Sequence, residues 1–396
     1  MAEHAPHAVI AGAGYAGLAA YLALRGALRA GQVRVTVVNA DNWHLLLPEL
    51  PLYLSGEEPA SDLRLDLRRA VRDPAELVIS RIDGVDVGGR AVTCGGRRIA
   101  GDALLLALGS IPSDFGVPGV AEHALAIGRW HDVQALRRRF LDDLHAPDRS
   151  SVAVVGAGFT GVEIAAAVAE RARERGAALH VALVGDHVLP AMPEEVRRVA
   201  ADALHRLGVR LVSGRAAAVE PGTVRLQGGG SCRAETVVWA AGVRANPLLA
   251  AAGLGVNGRG QARLDRHLRA APGVFCAGDC AAIHDPTSGR DAAPTAQLAL
   301  QEGPAAAANL LREARGQPLV PFEPKERGFL VSLGRRDAAG TIGNVSVHGG
   351  EVAALKRLIE HYHAYQVGGL QALARALVRG ARGAEPAHAG AGAPRA

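Results

Sequence analysis

Cysteine is scarce in this chain. Only Cys94, Cys232, Cys276 and Cys280 occur in 396 residues, and no two form a C-x-x-C pair. That usage excludes a disulfide scaffold and suits a reducing cytoplasm. Cys276 and Cys280 have no histidine or second pair beside them, so no metal is expected. Aromatic residues make up 4% of the chain, and no basic stripe is interleaved with them, which argues against a nucleic-acid partner. No run approaches eighteen apolar residues, so no spanning helix is expected. Met1 to His7 is short and polar and leads at once into a strand-like run, leaving no room for a secretory signal. Acidic residues are in slight deficit: the net charge is +5. A mild basic excess fits an acidic substrate or an anionic membrane face, and equally an ordinary soluble protein.

Hydrophobic residues, at 49%, are enough for two core-bearing domains and a small appendage. Residues 8–12 form a short apolar run, followed by Gly12-Ala13-Gly14-Tyr15-Ala16-Gly17, a helix-like Leu18 to Leu28 and a β-rich Val33 to Val38. Strand, glycine turn, helix and strand in this order form a dinucleotide-binding unit. Gly12 permits the turn, Gly14 lets the backbone approach a pyrophosphate, and Gly17 lets helix and strand pack closely. The pattern recurs with Val152 to Val155, Gly156-Ala157-Gly158-Phe159-Thr160-Gly161, the helix Val162 to Arg171 and the strand His180 to Val184. Two such units in one chain are far more specific than one.

The acid expected after the second strand is replaced at the first site by Asn39, which still hydrogen-bonds ribose hydroxyls. At the second site Gly185 holds that place and Asp186 follows. No arginine lies between Gly185 and Pro190, which favours NADH over NADPH. Several other features have an ordinary structural explanation. Glu163 is explained as an acid in the first helical turn, Asp279 as an N-cap for a helix from Cys280, and Gln297 with Gln301 as one exposed helix face. Arg137-Arg138-Arg139 and Arg335-Arg336 read as solvated faces, and His361 with His363 as a poor metal pair.

Beyond the glycine turns, four stretches resemble the type II NADH:quinone oxidoreductases, within the two-dinucleotide-fold flavoprotein reductases. They are Val38 to His44, Val238 to Arg244, Val274 to Ala281 and Pro294 to Gly303. The likeness runs over roughly residues 7–380. It implies an α/β fold of two nested Rossmann-like domains, one for FAD and one for NAD, with a small C-terminal appendage. The FAD domain is expected at 1–112 and 245–324, the NAD(P)H domain at 113–244, a membrane-association or dimer region at 325–380 and a disordered tail at 381–396. Implied FAD contacts are the six residues Gly12 to Gly17, then Asn39, Ala40, Ile82 and Gly109, and finally Asp279, Ala296, Gln297 and Lys356. Implied NAD contacts are Gly156, Gly158, Gly161, Glu163, Asp186 and Gly242. Glu163, Gln297 and Gln301 are the implied catalytic residues, beside a quinone.

Within 352–379, Leu355, Leu358, Ile359, Tyr362 and Tyr365 recur at helical spacing beside Lys356 and Arg357. After Gly368-Gly369 the pattern resumes with Leu370, Leu373 and Leu377, flanked by Arg375 and Arg379. Periodicity alone favours packing on the body or on a second copy in a homodimer. The resemblance implies attachment to a membrane surface, placing the protein in the cytoplasm on the inner face of the cell membrane, feeding a respiratory chain. Residues 41–60 lack the cysteine pair of a disulfide reductase. Three alternatives remain: a sulfide:quinone oxidoreductase using Cys276 or Cys280, a reductase of a soluble acceptor, and a non-catalytic nucleotide-binding redox sensor.

Overall fold

A computed structural model describes residues 5–56, 63–72, 74–128, 130–145, 150–285 and 289–382. The tail expected from residue 381 lies, from 383 onward, outside the described residues; the last helix runs to Arg382.

Two bodies are built on one plan. In the first, a six-stranded sheet has the order Arg269–Ala271, Val274–Cys276, Ala103–Leu106, His7–Ala11, Arg34–Asn39, Glu76–Ile79. All neighbours run parallel except the Arg269–Ala271 edge. The second holds a parallel five-stranded sheet in the order Leu125–Ala126, Thr236–Trp239, Ser150–Val155, Leu179–Val184, Arg210–Val212. Val, Ile, Leu and Ala fill the central strands because parallel strands covered on both faces have no solvent side to supply polar alternation. Each body adds a three-stranded antiparallel meander, Ile82 to Ala100 in the first and Ala216 to Arg233 in the second.

An antiparallel ribbon of Ser110–Pro112 with Val243–Ala245 carries the chain out of the first body and back. The bodies also share side chains. Leu50, Tyr53, Leu54 and Leu63, from the N-terminal segment, pack in the core of the second body with Phe140, Val162 and Ala165. The C-terminal part is a three-stranded antiparallel sheet, Leu330–Ser332, Ala338–Ile342 and Val345–His348, followed by the helix Gly350–Arg382. That helix kinks at Gly369, whose φ of 67° is left-handed and unstrained only for glycine. No helix among the described residues is long and apolar enough to cross a membrane.

Candidate functional site

The two glycine turns are near copies. Gly12 N–H donates to Val38 O and Gly156 N–H to Val184 O, each at 2.8 Å. Their φ angles are 108° and 112°, and a Cβ would strike the carbonyl of Ala107 at the first turn or of Ala240 at the second. Gly17 and Gly161 work differently. Neither borders the cavity described below; a Cβ on either would run into the carbonyl of Gly12 or Gly156, so their role is to let the helix start against the strand.

Gly14 and Gly158 are the N-caps of the helices Tyr15–Arg29 and Phe159–Arg175. Neither helix has a side-chain cap or an acid in its first turn, and nothing lies within 4 Å of the place where either glycine's Cβ would be. Both helix ends therefore present uncapped N–H groups and a positive dipole end to open space, which is a cradle for a pyrophosphate. Both open into one cavity of about 3190 Å³.

Its walls include Ala13, Tyr15, Ala16, Asn39, Ala40, Ile82, Gly109 and Asp279 on the first body. Gly156, Glu163, Asp186 and Gly242 line it on the second, with Ala296, Gln297, Gln301 and Lys356 closing it. Asn39 is tied down: its Oδ1 accepts the Ala13 N–H at 2.9 Å and its Nδ2 donates to Asp41 O at 2.8 Å. No helix follows Asp279, contrary to its explanation as an N-cap. The chain turns into the short strand Ala281–Ala282, and Asp279 Oδ2 accepts from Ser110 Oγ at 2.7 Å. Behind it, Glu302 accepts the Gly278 N–H, and burial pushes its carboxyl up to about 8.

Glu163 also departs from its structural explanation. The helix begins at Phe159, so Glu163 stands beyond the first turn. Its Oε1 accepts the Ser332 N–H at 2.9 Å and lies 3.2 Å from Lys356 Nζ, which also meets Glu360 Oε1 at 2.6 Å. Burial pulls Lys356 down, and the two carboxylates more than reverse that, holding the ammonium above the ordinary lysine range. Lys356 is one of two lysines among 44 basic residues; the other, Lys325, is bonded through its backbone to Gln301. Gln301 is committed there: its Nε2 donates to Lys325 O and its Oε1 accepts the Lys325 N–H, both at 3.0 Å. The Gln297 side chain has no hydrogen-bond partner among the described residues and faces the cavity.

Sequence reasoning passed over a buried ring cluster. Tyr15 stacks on His363 at 4.5 Å between centroids and meets His44 edge-on at 4.8 Å. His44 Nδ1 is 3.1 Å from Ala13 O, and its Nε2 is 3.2 Å from His363 Nε2. A carbonyl only accepts, so His44 carries its proton on Nδ1 and accepts at Nε2, and His363 donates from Nε2. Burial lowers His44 to about 4; burial and His44 lower His363 to about 3. Histidines at 44 and 363 give no local pattern that a reading of the sequence can detect. Glu360 was detectable, from its i, i+4 spacing to Lys356.

All four cysteines are buried, and none borders the cavity. Cys94 and Cys232 lie on the strands Ala91–Cys94 and Ser231–Arg233. Cys276 and Cys280 hold their sulfurs 3.4 Å apart, and the Cys280 sulfur together with burial keeps the Cys276 thiol well above its usual range. Among the described residues no group of three or more His, Cys, Asp or Glu is placed to hold a metal ion.

The model of the pyridine nucleotide-disulphide oxidoreductase family matches residues 6–303. The chain belongs to that family. Among curated members of known name, it is similar to the type II NADH:quinone oxidoreductase of Staphylococcus saprophyticus, at 28% identity over 93% of this chain and 98% of the relative. A protein of the same name from Staphylococcus aureus matches equally. In fold it is similar to NDH2 of Plasmodium falciparum in complex with NADH, with a TM-score of 0.81 at 16% identity over 96% of this chain and 98% of that one. The sulfide:quinone oxidoreductase of Aquifex aeolicus follows at 0.77 and 17% identity, covering 91% of each chain. This pyridine nucleotide-disulphide oxidoreductase has no cysteine at its cavity, so the dithiol chemistry for which the family is named has no residues here to carry it.

Proposed function

We propose that the chain is a type II NADH:quinone oxidoreductase, a non-proton-pumping flavoprotein that passes electrons from NADH through FAD to a membrane quinone. The observation that carries this is the single cavity onto which two uncapped phosphate cradles and the Glu163–Lys356 cluster all open. The first body is read as the FAD domain, with the ribbon Ser110–Pro112 and Val243–Ala245 bounding an inserted nicotinamide domain.

The first body fits FAD. Gly14 leaves room for the pyrophosphate at the helix end, and Asp279 offers a carboxylate to ribityl hydroxyls. Bound there, the flavin would supply two-electron redox chemistry between the nicotinamide and the acceptor. The N-terminus of Phe159–Arg175 holds the pyrophosphate of NADH, and Asp186 accepts from its ribose. The free Gln297 amide donates to a quinone carbonyl where charge develops. Lys356 keeps its proton on Nζ beside that site, with Glu163 and Glu360 setting its position. Gln301 acts one step back, fixing the segment at Lys325.

Leu355, Leu358, Ile359 and Tyr362 are exposed on the last helix, and all four also line the cavity. A second subunit on that face would close the cavity mouth, whereas a lipid surface would feed a quinone into it. This favours peripheral attachment on the inner face of the cell membrane over a homodimer. Burial of Cys276 and Cys280 away from the cavity counts against sulfide as the reductant.

The deciding experiment is anaerobic stopped-flow on the purified yellow protein. NADH bleaches the flavin absorbance, and a short-chain quinone then restores it. No bleaching would remove the enzyme reading and leave the redox sensor. Bleaching without recolouring by quinone would move the assignment to a soluble acceptor.

A further inference from the structure

At the far end of the second cradle the structure supplies an arginine from another part of the chain. Position 185, where a ribose-binding acid usually stands, is closed: a Cβ on Gly185 would lie 2.7 Å from that of Ala157. The carboxylate moves one residue on, to Asp186, which lines the cavity. The strand next to Leu179–Val184 is Arg210–Val212, and it leads through Gly214 to Arg215. Arg215 Nε donates to Asp186 Oδ2 at 2.6 Å, and Arg215 also lines the cavity. Its backbone is fixed, because Arg215 O accepts the Gln227 N–H at 2.8 Å. Its side chain is 74% exposed, and its two Nη atoms have no other protein partner among the described residues.

An acid alone at this place rejects a 2′-phosphate by like-charge repulsion, and an arginine alone attracts it. Here each is held against the other. Nε is engaged with Asp186, so the Nη edge of the planar fork remains for a second anion, and a phosphate fits it with two parallel hydrogen bonds. The ion pair cancels the charge on Asp186 that would otherwise exclude such a ligand.

We propose that Arg215 reads the 2′-phosphate of NADPH and that this chain oxidises NADPH as well as NADH. The proposal rests on the reading of the second fold as the nicotinamide site. It adds an acceptance that the loop between Gly185 and Pro190 does not reveal, because the arginine comes from the end of the neighbouring strand.

Two measurements on the full-length, FAD-loaded protein test it. The first is equilibrium binding of 2′,5′-ADP and of 5′-AMP, which differ in the 2′-phosphate alone. The wild type binds 2′,5′-ADP more tightly than 5′-AMP, and Arg215→Ala loses that preference by about tenfold or more, as expected for a charge-assisted bidentate contact. Arg215→Lys keeps part of it, since an ammonium is a point charge without the fork. The second is the rate of flavin bleaching by each nucleotide. The NADPH-to-NADH ratio falls in Arg215→Ala and rises in Asp186→Asn. Equal binding of the two adenylates to wild type and Arg215→Ala, or an unchanged rate ratio, overturns the role of Arg215 and leaves the proposed function in place. Failure of both adenylates to bind, with no bleaching by either nucleotide, removes the nicotinamide site and this proposal with it.

Discussion

His44 Nε2 meets His363 Nε2 at 3.2 Å across 319 residues of sequence. The contact joins the glycine turn, through Ala13 O, to the last helix. Both imidazoles are neutral in the fold because burial lowers them to about 4 and about 3. An unfolded chain takes up protons on both below its ordinary histidine pKa of about 6.5. The stability they contribute is therefore complete above that pH and is lost as pH falls toward their folded values, by roughly 3 kcal/mol for His44. Glu302 runs the other way. Its folded carboxyl titrates near 8, so its contribution is complete below the unfolded carboxyl pKa of 4.5 and is lost as pH rises through 8. Thermal midpoints measured from pH 4 to 9 separate the two. His363→Phe flattens the acid limb, and Glu302→Gln, which imitates the protonated acid, flattens the alkaline one. Acid limbs of equal slope in wild type and His363→Phe would contradict the neutral-pair assignment.

Lys356 tests the far end of the cavity. Lys356→Met leaves Glu163 and Glu360 facing each other, largely buried and without their cation, at a cost of about 3–5 kcal/mol. Glu163→Gln is the milder probe, because the amide keeps the shape and still accepts from Ser332. In that variant bleaching by NADH persists, while recolouring by quinone slows about tenfold or more. Slowed bleaching with unchanged recolouring would place Glu163 in nucleotide binding alone. Lys356→Arg does not restore the rate, since a planar guanidinium cannot occupy the site of a compact ammonium set between two carboxylates.

The paired glycines give matched lesions. Gly17→Ala and Gly161→Ala each drive a Cβ into the carbonyl of the preceding turn. Overpacking of this kind costs about 1–3 kcal/mol and shifts the helix end that holds the phosphates. Gly17→Ala purifies with little flavin, as the ratio of yellow absorbance to protein shows. Gly161→Ala stays yellow and loses sensitivity to NADH. The opposite pattern would exchange the roles of the two bodies.

Much of the architecture was legible because it is written in local patterns. Gly12 to Gly17 and Gly156 to Gly161 each announce a turn whose first and last positions leave no room for a side chain, and the apolar runs around them have the length of buried parallel strands. The relations that finish the site were not legible. Arg215 reaches Asp186 from the adjacent strand, Ser332 reaches Glu163 from the C-terminal sheet, and His363 reaches His44 across nearly the whole chain. None has a spacing rule, since each depends on how finished elements pack. Asp279 was misjudged in its structural explanation because a Gly-Asp pair can cap a helix or close a turn, and here Ala281 enters a strand instead.

The wall carrying Lys356 and His363 belongs to the helix Gly350–Arg382, which follows both sheets in the chain. Until that helix docks, the turn at Gly12 to Gly17 lacks the ring that stacks on Tyr15, and the chamber stands open on one side. A nascent chain can assemble both sheets before this helix emerges, yet it encloses its cofactor space only once the helix has docked.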